Sequence, residues 1–367
     1  MVALLFILPF ILTFVVLGVW AERKVAGFIQ DRYGPMEVGY YGIGQTIADL
    51  LKMLQKEDIV PSKADRSLFL IAPIVIFVAI LAGYAVLPLS PSLIGSSVKV
   101  GIFYLLTIIS LDVVGLLMAG WGSNNKYAIL GAVRAVAQII SYEIPLTLSV
   151  LSVVMICQTL DLQEISYQQG ILITNFPGVS TPQNYLFGIK ALDINVTNVG
   201  GFLTWNIFRC PLLFVSFIIF FIASLAESNR APFDLPEADS ELIAGYHTEY
   251  SGFRWGLFML GEYAMMLLVS FLAAILFLGS WNTPLPNIGS VRLADWTTGA
   301  PDTIAGNVIG FGWLVSKAFV LVFIQMVVRW TYPRLRVDQL MNLCWKFLTP
   351  IALGIVVLTA IWRLLMI

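Results

Sequence analysis

Long apolar runs separated by charged segments dominate this chain. They fall near 2–21, 68–90, 100–121, 133–158, 207–226, 255–279, 308–330 and 347–366. Each is close to the roughly 20 residues a helix needs to cross hydrocarbon. The pattern predicts an all-α integral membrane protein with eight transmembrane helices. Unbroken apolar runs of this length do not match the alternation of barrel strands. The first run lacks the basic stretch of a signal peptide, and no small-residue cleavage site follows it, so it reads as a retained helix. No internal repeat is visible.

One polar stretch carries a different period. Gly44 to Asp58 reads G-Q-T-I-A-D-L-L-K-M-L-Q-K-E-D, with Ile47, Leu50, Leu51 and Leu54 at helical spacing. It is too short and too polar to span, and predicts an interfacial amphipathic helix after the first transmembrane helix. Gly39, Gly42 and Gly44 precede it without a strand before them. They read as loop glycines rather than a phosphate cradle.

Lys99, Lys190, Arg209, Arg292 and Arg363 fall on one side of the predicted spans, and Lys317 lies inside one. The other 15 of the 21 cations cluster around the loops after spans 1, 3, 5 and 7. The positive-inside rule then puts those loops in the cytoplasm or matrix and both termini outward. The whole of 1–367 forms a single polytopic membrane domain. Its cytoplasmic loops are 22–67, 122–132, 227–254 and 331–346, and 159–206 is a long outward loop rich in Asn, Thr, Gln and Gly. Its length favours a bacterial plasma (cell inner) membrane over a mitochondrial inner membrane.

Composition agrees. Hydrophobic residues make up 59% and charged residues 12%, with mean hydropathy +0.87. The net charge of -1 gives no reason to expect nucleic acid as a partner. Cys157, Cys210 and Cys344 are far apart and His247 is the sole histidine, so no metal-ligand spacing exists. A lone histidine reads first as a structural hydrogen-bonding residue.

The densest chemistry lies between Glu227 and Glu262. Glu227, Asp234, Glu237, Asp239, Glu241, Glu249 and Glu262 share that stretch with only two cations, Arg230 and Arg254. Aromatic and aliphatic residues alternate with the acids, and Pro232 and Pro236 stiffen the segment, which reads as a folded loop lining a cavity. Within the spans stand Asp112, with Gly115 and Gly120 nearby, a polar track of Arg134, Gln138 and Glu143 ending at Pro145, and Glu262 and Lys317. Static pairs that lock helices are the bland reading. The set points instead to a proton relay, since ionisable groups at membrane depth mark functional sites. In that relay Lys317 is a cationic partner or a member.

At these residues the chain resembles the H-type subunits, the quinone-chamber membrane subunits of proton-pumping NADH:quinone oxidoreductase (respiratory complex I). The resemblance covers nearly the whole chain. It rests on Glu22-Arg23-Lys24 with R-x-G-P at Arg32 to Pro35, and on the segment from Gly42 to Glu57. It rests also on R-A-V-A-Q-x-x-S-Y-E from Arg134 to Glu143, on Ala226 to Tyr250, and on Y-P-R-x-R-x-D-Q-L-M from Tyr332 with Trp345-Lys346 after it. The resemblance implies a chamber that quinone, the substrate, enters from the bilayer. It implies no redox centre in this chain. Iron–sulfur clusters, FMN and the headgroup-binding residues belong to partner subunits, with small membrane subunits and antiporter-like pumps alongside. Carried over by motif, the proton route would use Glu143, Glu227 and Glu262. Glu237, Asp239, Glu241 and Glu249 would line the chamber. Arg23, Arg32, Asp49, Lys52 and Lys56 would stand near its entrance or at the partner interface. Glu22, Arg134, Arg230 and Asp234 complete the chamber set. Asp239 replaces the usual glutamate and shortens its reach by one methylene. Related membrane subunits of energy-converting hydrogenases and formate hydrogenlyases are the near alternative. A stand-alone ion transporter is the distant one, and such folds often show the internal repeats this chain lacks.

Overall fold

A computed structural model describes residues 2–171, 199–235, 243–287, 292–298 and 303–366. The chain runs through α1 (Val2–Ile29), α2 (Gln45–Gln55), α3 (Arg66–Tyr84), α4 (Gly101–Ile109), α5 (Leu111–Gly122), α6 (Lys126–Cys157), α7 (Leu162–Gln168), α8 (Pro211–Glu227), α9 (Gly252–Phe277), α10 (Ile304–Thr331), α11 (Val337–Asn342) and α12 (Thr349–Met366). Among the described residues there is no β-strand, only an isolated bridge between Pro88 and Ile94. Taking α4–α5 and α11–α12 each as one span, seven segments are long and apolar enough to cross a membrane. The remaining predicted span corresponds to α8, an apolar helix of 17 residues that starts on Pro211. Proline suits a first helical position because its missing N–H has no helical partner there anyway.

The helix at the centre is α9. Every residue from Tyr263 to Phe277 is buried, as befits a helix apolar on all faces. Helices α1, α2, α3, α8 and α10 pack around it, and α6 gathers α5, α8 and α12. Between helices in lipid, packing rather than transfer from water supplies the attraction, so small residues at crossings matter. A Cβ on Gly115 would sit 2.4 Å from Ile76 of α3, and one on Gly120 would sit 2.2 Å from Ala132 of α6. The interfacial α2 packs on α1 and α9 and leaves Ile47, Leu50, Leu51 and Leu54 exposed. In the turn before it, Gly42 has φ +75° and a Cβ there would meet the Pro35 carbonyl at 2.1 Å, a position only glycine fits.

Two prolines inside helices tie the bundle together. Proline has no N–H for the carbonyl four residues back. Pro73 frees Phe69 O, which accepts from the Tyr250 hydroxyl at 3.2 Å, and the Tyr250 and Phe69 rings stack at 4.1 Å. Pro145 frees Ser141 O, which accepts from the Cys344 thiol at 3.0 Å. The first contact fastens the end of the acid-rich loop to α3. The second fastens the π-helical turn Leu343–Leu348, between α11 and α12, to α6.

Helix boundaries depart from the apolar runs in several places, three of them with a clear local cause. Helix α1 continues to Ile29 through Glu22 and Arg23, because Glu22 finds the buried Arg230 and Arg23 pairs with Asp49 of α2. The third span breaks at Ser110, whose hydroxyl lies within hydrogen-bond distance of both Leu106 O (3.0 Å) and the Glu143 carboxyl. Asp112 therefore lies in the first turn of α5 rather than mid-helix. Helix α6 begins at Lys126, seven residues before the apolar run, with Asn125 capping Tyr127 N at 2.9 Å.

Candidate functional site

A cavity of about 800 Å³ lies between α1, α2, α9 and the end of α10. Val15, Val16 and Val19 of α1 with Met259 and Leu260 of α9 line it with apolar surface. Glu22, Arg23, Arg32, Asp49 and Arg329 bring charge to the same chamber. Arg23 pairs with Asp49 at 2.6 Å, joining α1 to α2, and Arg32 donates to Gln30 at 2.7 Å. A side pocket of about 390 Å³ shares Arg23, Asp49, Met53 and Trp255 with the chamber and adds Lys52 and Lys56. The residues expected near an entrance do stand together. An elongated amphipathic molecule, apolar along its length and polar at one end, matches these walls.

A buried charge cluster forms one wall of the chamber. Glu22 accepts from Arg230 at 3.1 Å, from the Tyr263 hydroxyl at 2.5 Å and from Arg329. The Arg230 guanidinium also lies 4.1 Å from the Tyr263 ring centroid, a cation–π contact. Arg230 and Glu22 are both 4% exposed. Burial works against the Arg230 charge, Glu22, Tyr263 and Glu262 together more than offset it, and the guanidinium ends above the ordinary arginine value. Arg230 is also within electrostatic reach of Glu262.

Beyond that wall Asp112, Glu227 and Glu262 line a second, tiny cavity of about 10 Å³ with Ser228, Asn229 and Tyr246. That is close to the volume of one water probe. Asp112 Oδ1 and Glu227 Oε2 are buried there without a hydrogen-bond partner in the protein. Local chemistry explains the placement. The Gln138 amide of α6 donates to Ala226 O at 2.9 Å, adding to the bond that carbonyl takes from Asn229 N at the end of α8 and holding Glu227 beside α6. Tyr246 donates to Glu262 Oε1 at 3.1 Å, and His247 Nε2 lies 3.7 Å from the same oxygen. Asp112 is within electrostatic reach of Glu262, and Glu227 of both Asp112 and Glu143. The four acids thus form a series from Glu262 through Asp112 and Glu227 to Glu143.

Other expected residues lie elsewhere. Lys317 is not in this series: its Nζ donates to Ser280 O at 2.8 Å and Asn282 O at 2.6 Å, with the Trp205 ring 4.5 Å away. Asp234 pairs with Arg334 at 3.0 Å, and Glu249 accepts from Asn125 at 2.6 Å. Arg134 is half-buried on α6. Glu237, Asp239 and Glu241 lie outside the described residues. Of the two cations of the acid-rich stretch, Arg230 pairs with Glu22 and Arg254 with Asp58 at 2.8 Å. Sequence reasoning did not single out Tyr263, Arg329, Tyr246, His247 or Ser110 as site residues. Arg329 and Tyr263 offered a signal, being polar residues at the ends or middles of apolar runs. Among the described residues no three His, Cys, Asp or Glu side chains group closely enough to hold a metal ion.

Fold and site together define a polytopic helical membrane protein with an amphipathic chamber set against a buried series of acids. Residues 2–360 match the NADH dehydrogenase family. The chain is 62% identical to the second H-type subunit of NADH-quinone oxidoreductase from Cytophaga hutchinsonii, over 99% of this chain and 98% of that one. It is 51% identical to the H-type subunit of Chlorobium luteolum, over 99% and 88% of the two chains, and 49% identical to that of Chlorobaculum parvum, over 98% and 90%. The chain belongs to the family of H-type subunits of NADH-quinone oxidoreductase, membrane subunits of complex I.

Proposed function

We propose that this chain forms the quinone-access chamber of its complex and the start of the proton route that couples quinone reduction to proton translocation. The observation that carries this is the position of Arg230. It pairs with Glu22 on the chamber wall and acts electrostatically on Glu262 of the acid series. Reduction of quinone to quinol takes up two electrons and two protons, and drawing those protons from groups that line the chamber would change the charge beside that wall. Partner subunits, with their iron–sulfur clusters and FMN, supply the electrons. The Val15–Val19 face would take the isoprenoid tail, while Glu22, Arg23, Asp49 and Arg329 meet the polar end. A change of charge there shifts Arg230 between Glu22 and Glu262, and a proton then redistributes through Asp112 and Glu227 to Glu143. A water in the small cavity would bridge the unpartnered oxygens of Asp112 and Glu227. Antiporter-like partner subunits receive the effect laterally.

Coupling over such distance needs an element with two discrete arrangements. The Pro-flanked acid-rich loop after α8 is the proposed element; its residues 236–242 lie outside the described residues, and Tyr250 fastens its far end to α3. The charged loops and the chamber mouth would face the cytoplasm, with the protein in the plasma membrane. Lys317 would hold the 280–282 turn against α10 rather than relay protons. The test uses Glu227→Gln and Glu143→Gln in the whole complex. Each is expected to lower coupled turnover while the complex still assembles. Near-normal quinone reduction and pumping in both would overturn the route.

A further inference from the structure

We infer that His247 is a proton-relay residue that loads and unloads Glu262 from the side of the acid-rich loop. The inference rests on the proton route proposed above and adds a member to it.

His247 is the one histidine of the chain, and imidazole is the side chain whose ordinary titration falls between pH 5 and 8. It is 4% exposed and lies 3.7 Å from Glu262 Oε1. That separation suits an ion pair and exceeds hydrogen-bond length; a swing of about half an ångström closes it. Its place is built with care. Gly245, at φ +54°, opens the short 3-10 turn that carries His247. Gly131 of α6 meets that turn so closely that a Cβ on it would lie 2.7 Å from Gly245 Cα. The imidazole packs on the Tyr246 ring at 3.8 Å and edge-on to Phe258 at 5.1 Å. Tyr246 bonds the same Glu262 oxygen. One carboxylate oxygen is therefore served by a phenol that holds it and an imidazole that can exchange a proton with it. Glu262 on α9 is the charged group beside it, with Asp112 on α5 and Arg230 coupled to Glu262 and Glu227 lining the same small cavity; α6, which packs on the turn, carries Arg134, and Glu249 follows two residues along the loop. In the exchange Nε2–H gives its proton to Glu262, leaving neutral imidazole and a neutral acid. The reverse step restores imidazolium and carboxylate. No other co-reactant is needed.

The test compares His247→Asn and His247→Gln with the unaltered complex in sealed liposomes. NADH-driven quinone reduction and the pH gradient are followed from pH 6 to 8. NADH oxidation by an artificial acceptor that takes electrons ahead of quinone reports assembly. The inference expects full artificial-acceptor activity, roughly tenfold or greater loss of coupled turnover, and a flattened pH profile in at least one variant that assembles. A wild-type rate and profile overturns it. So does a lower rate with an unchanged profile, which marks a packing role only. Glu262→Gln and Glu227→Gln run in parallel. If both are normal, the proton route itself fails; if both are impaired while His247→Asn keeps the wild-type profile, only the role of His247 fails.

Discussion

Glu22→Gln is the most informative single change, because it removes one charge from the cluster between chamber and acid series and little else. The carboxylate takes hydrogen bonds from Arg230, Arg329 and Tyr263. Glutamine keeps the shape and one acceptor but leaves Arg230 a buried cation without its main partner. Breaking a buried pair from one side costs about 3–5 kcal/mol. Glu262 lies within reach of Arg230 and offsets part of this. The Arg329 side chain is 26% exposed, and water screens its share to about 1 kcal/mol or less. The expected local loss is therefore about 3 kcal/mol, roughly a hundredfold in the opening equilibrium. Hydrogen exchange on the purified whole complex reads it directly, in peptides covering Leu225–Leu235 and Trp255–Ala264, with Ser149–Ile156 as a distant reference. Adding Arg230→Gln to Glu22→Gln removes the unpaired charge and should recover a large part of the loss. Exchange within about threefold of the unaltered protein, or simple additivity in the double variant, would refute the reasoning.

Three further outcomes follow from the packing and the chamber. Tyr250→Phe leaves Phe69 O, already deprived of its helical donor by Pro73, without a partner; a loss of about 1–3 kcal/mol is expected in exchange of the 243–251 segment, with ring stacking retained. Gly120→Val drives a side chain into Ala132 and should lower the amount of assembled complex in membranes sharply, whereas Gly312→Ala, which meets nothing within 4 Å, should not. Val16→Trp narrows the apolar part of the chamber and should raise the apparent KM for a long-tailed quinone by roughly tenfold while sparing a short-tailed one.

The spans were legible because lipid imposes a length and a composition on any helix that crosses it. The interfacial helix was legible for the same kind of reason, its leucines repeating at helical spacing. Helix ends were less so. Glu22 and Arg23 look like loop residues until Arg230 and Tyr263, more than 200 positions away, are seen to receive Glu22. The break at Ser110 depends on Glu143 being across from it. The site was legible as a set of acids but not as pairs. Nothing local says that Asp234 finds Arg334, that Arg254 finds Asp58, or that Lys317 turns to backbone carbonyls instead of a carboxylate. His247, isolated in sequence, acquires meaning only when α9 brings Glu262 to it.

The central claim is that the cavity beside α1 and α9 receives quinone. A quinone with a photoreactive group on its tail, irradiated with the whole complex in native membranes, tests this most directly. The account predicts labelling on Val15, Val16 and Val19 of α1 and on Met259 and Leu260 of α9, suppressed by excess unmodified quinone. Labelling of this chain that excess quinone does not suppress, or labelling confined to its lipid-facing surfaces, would contradict it.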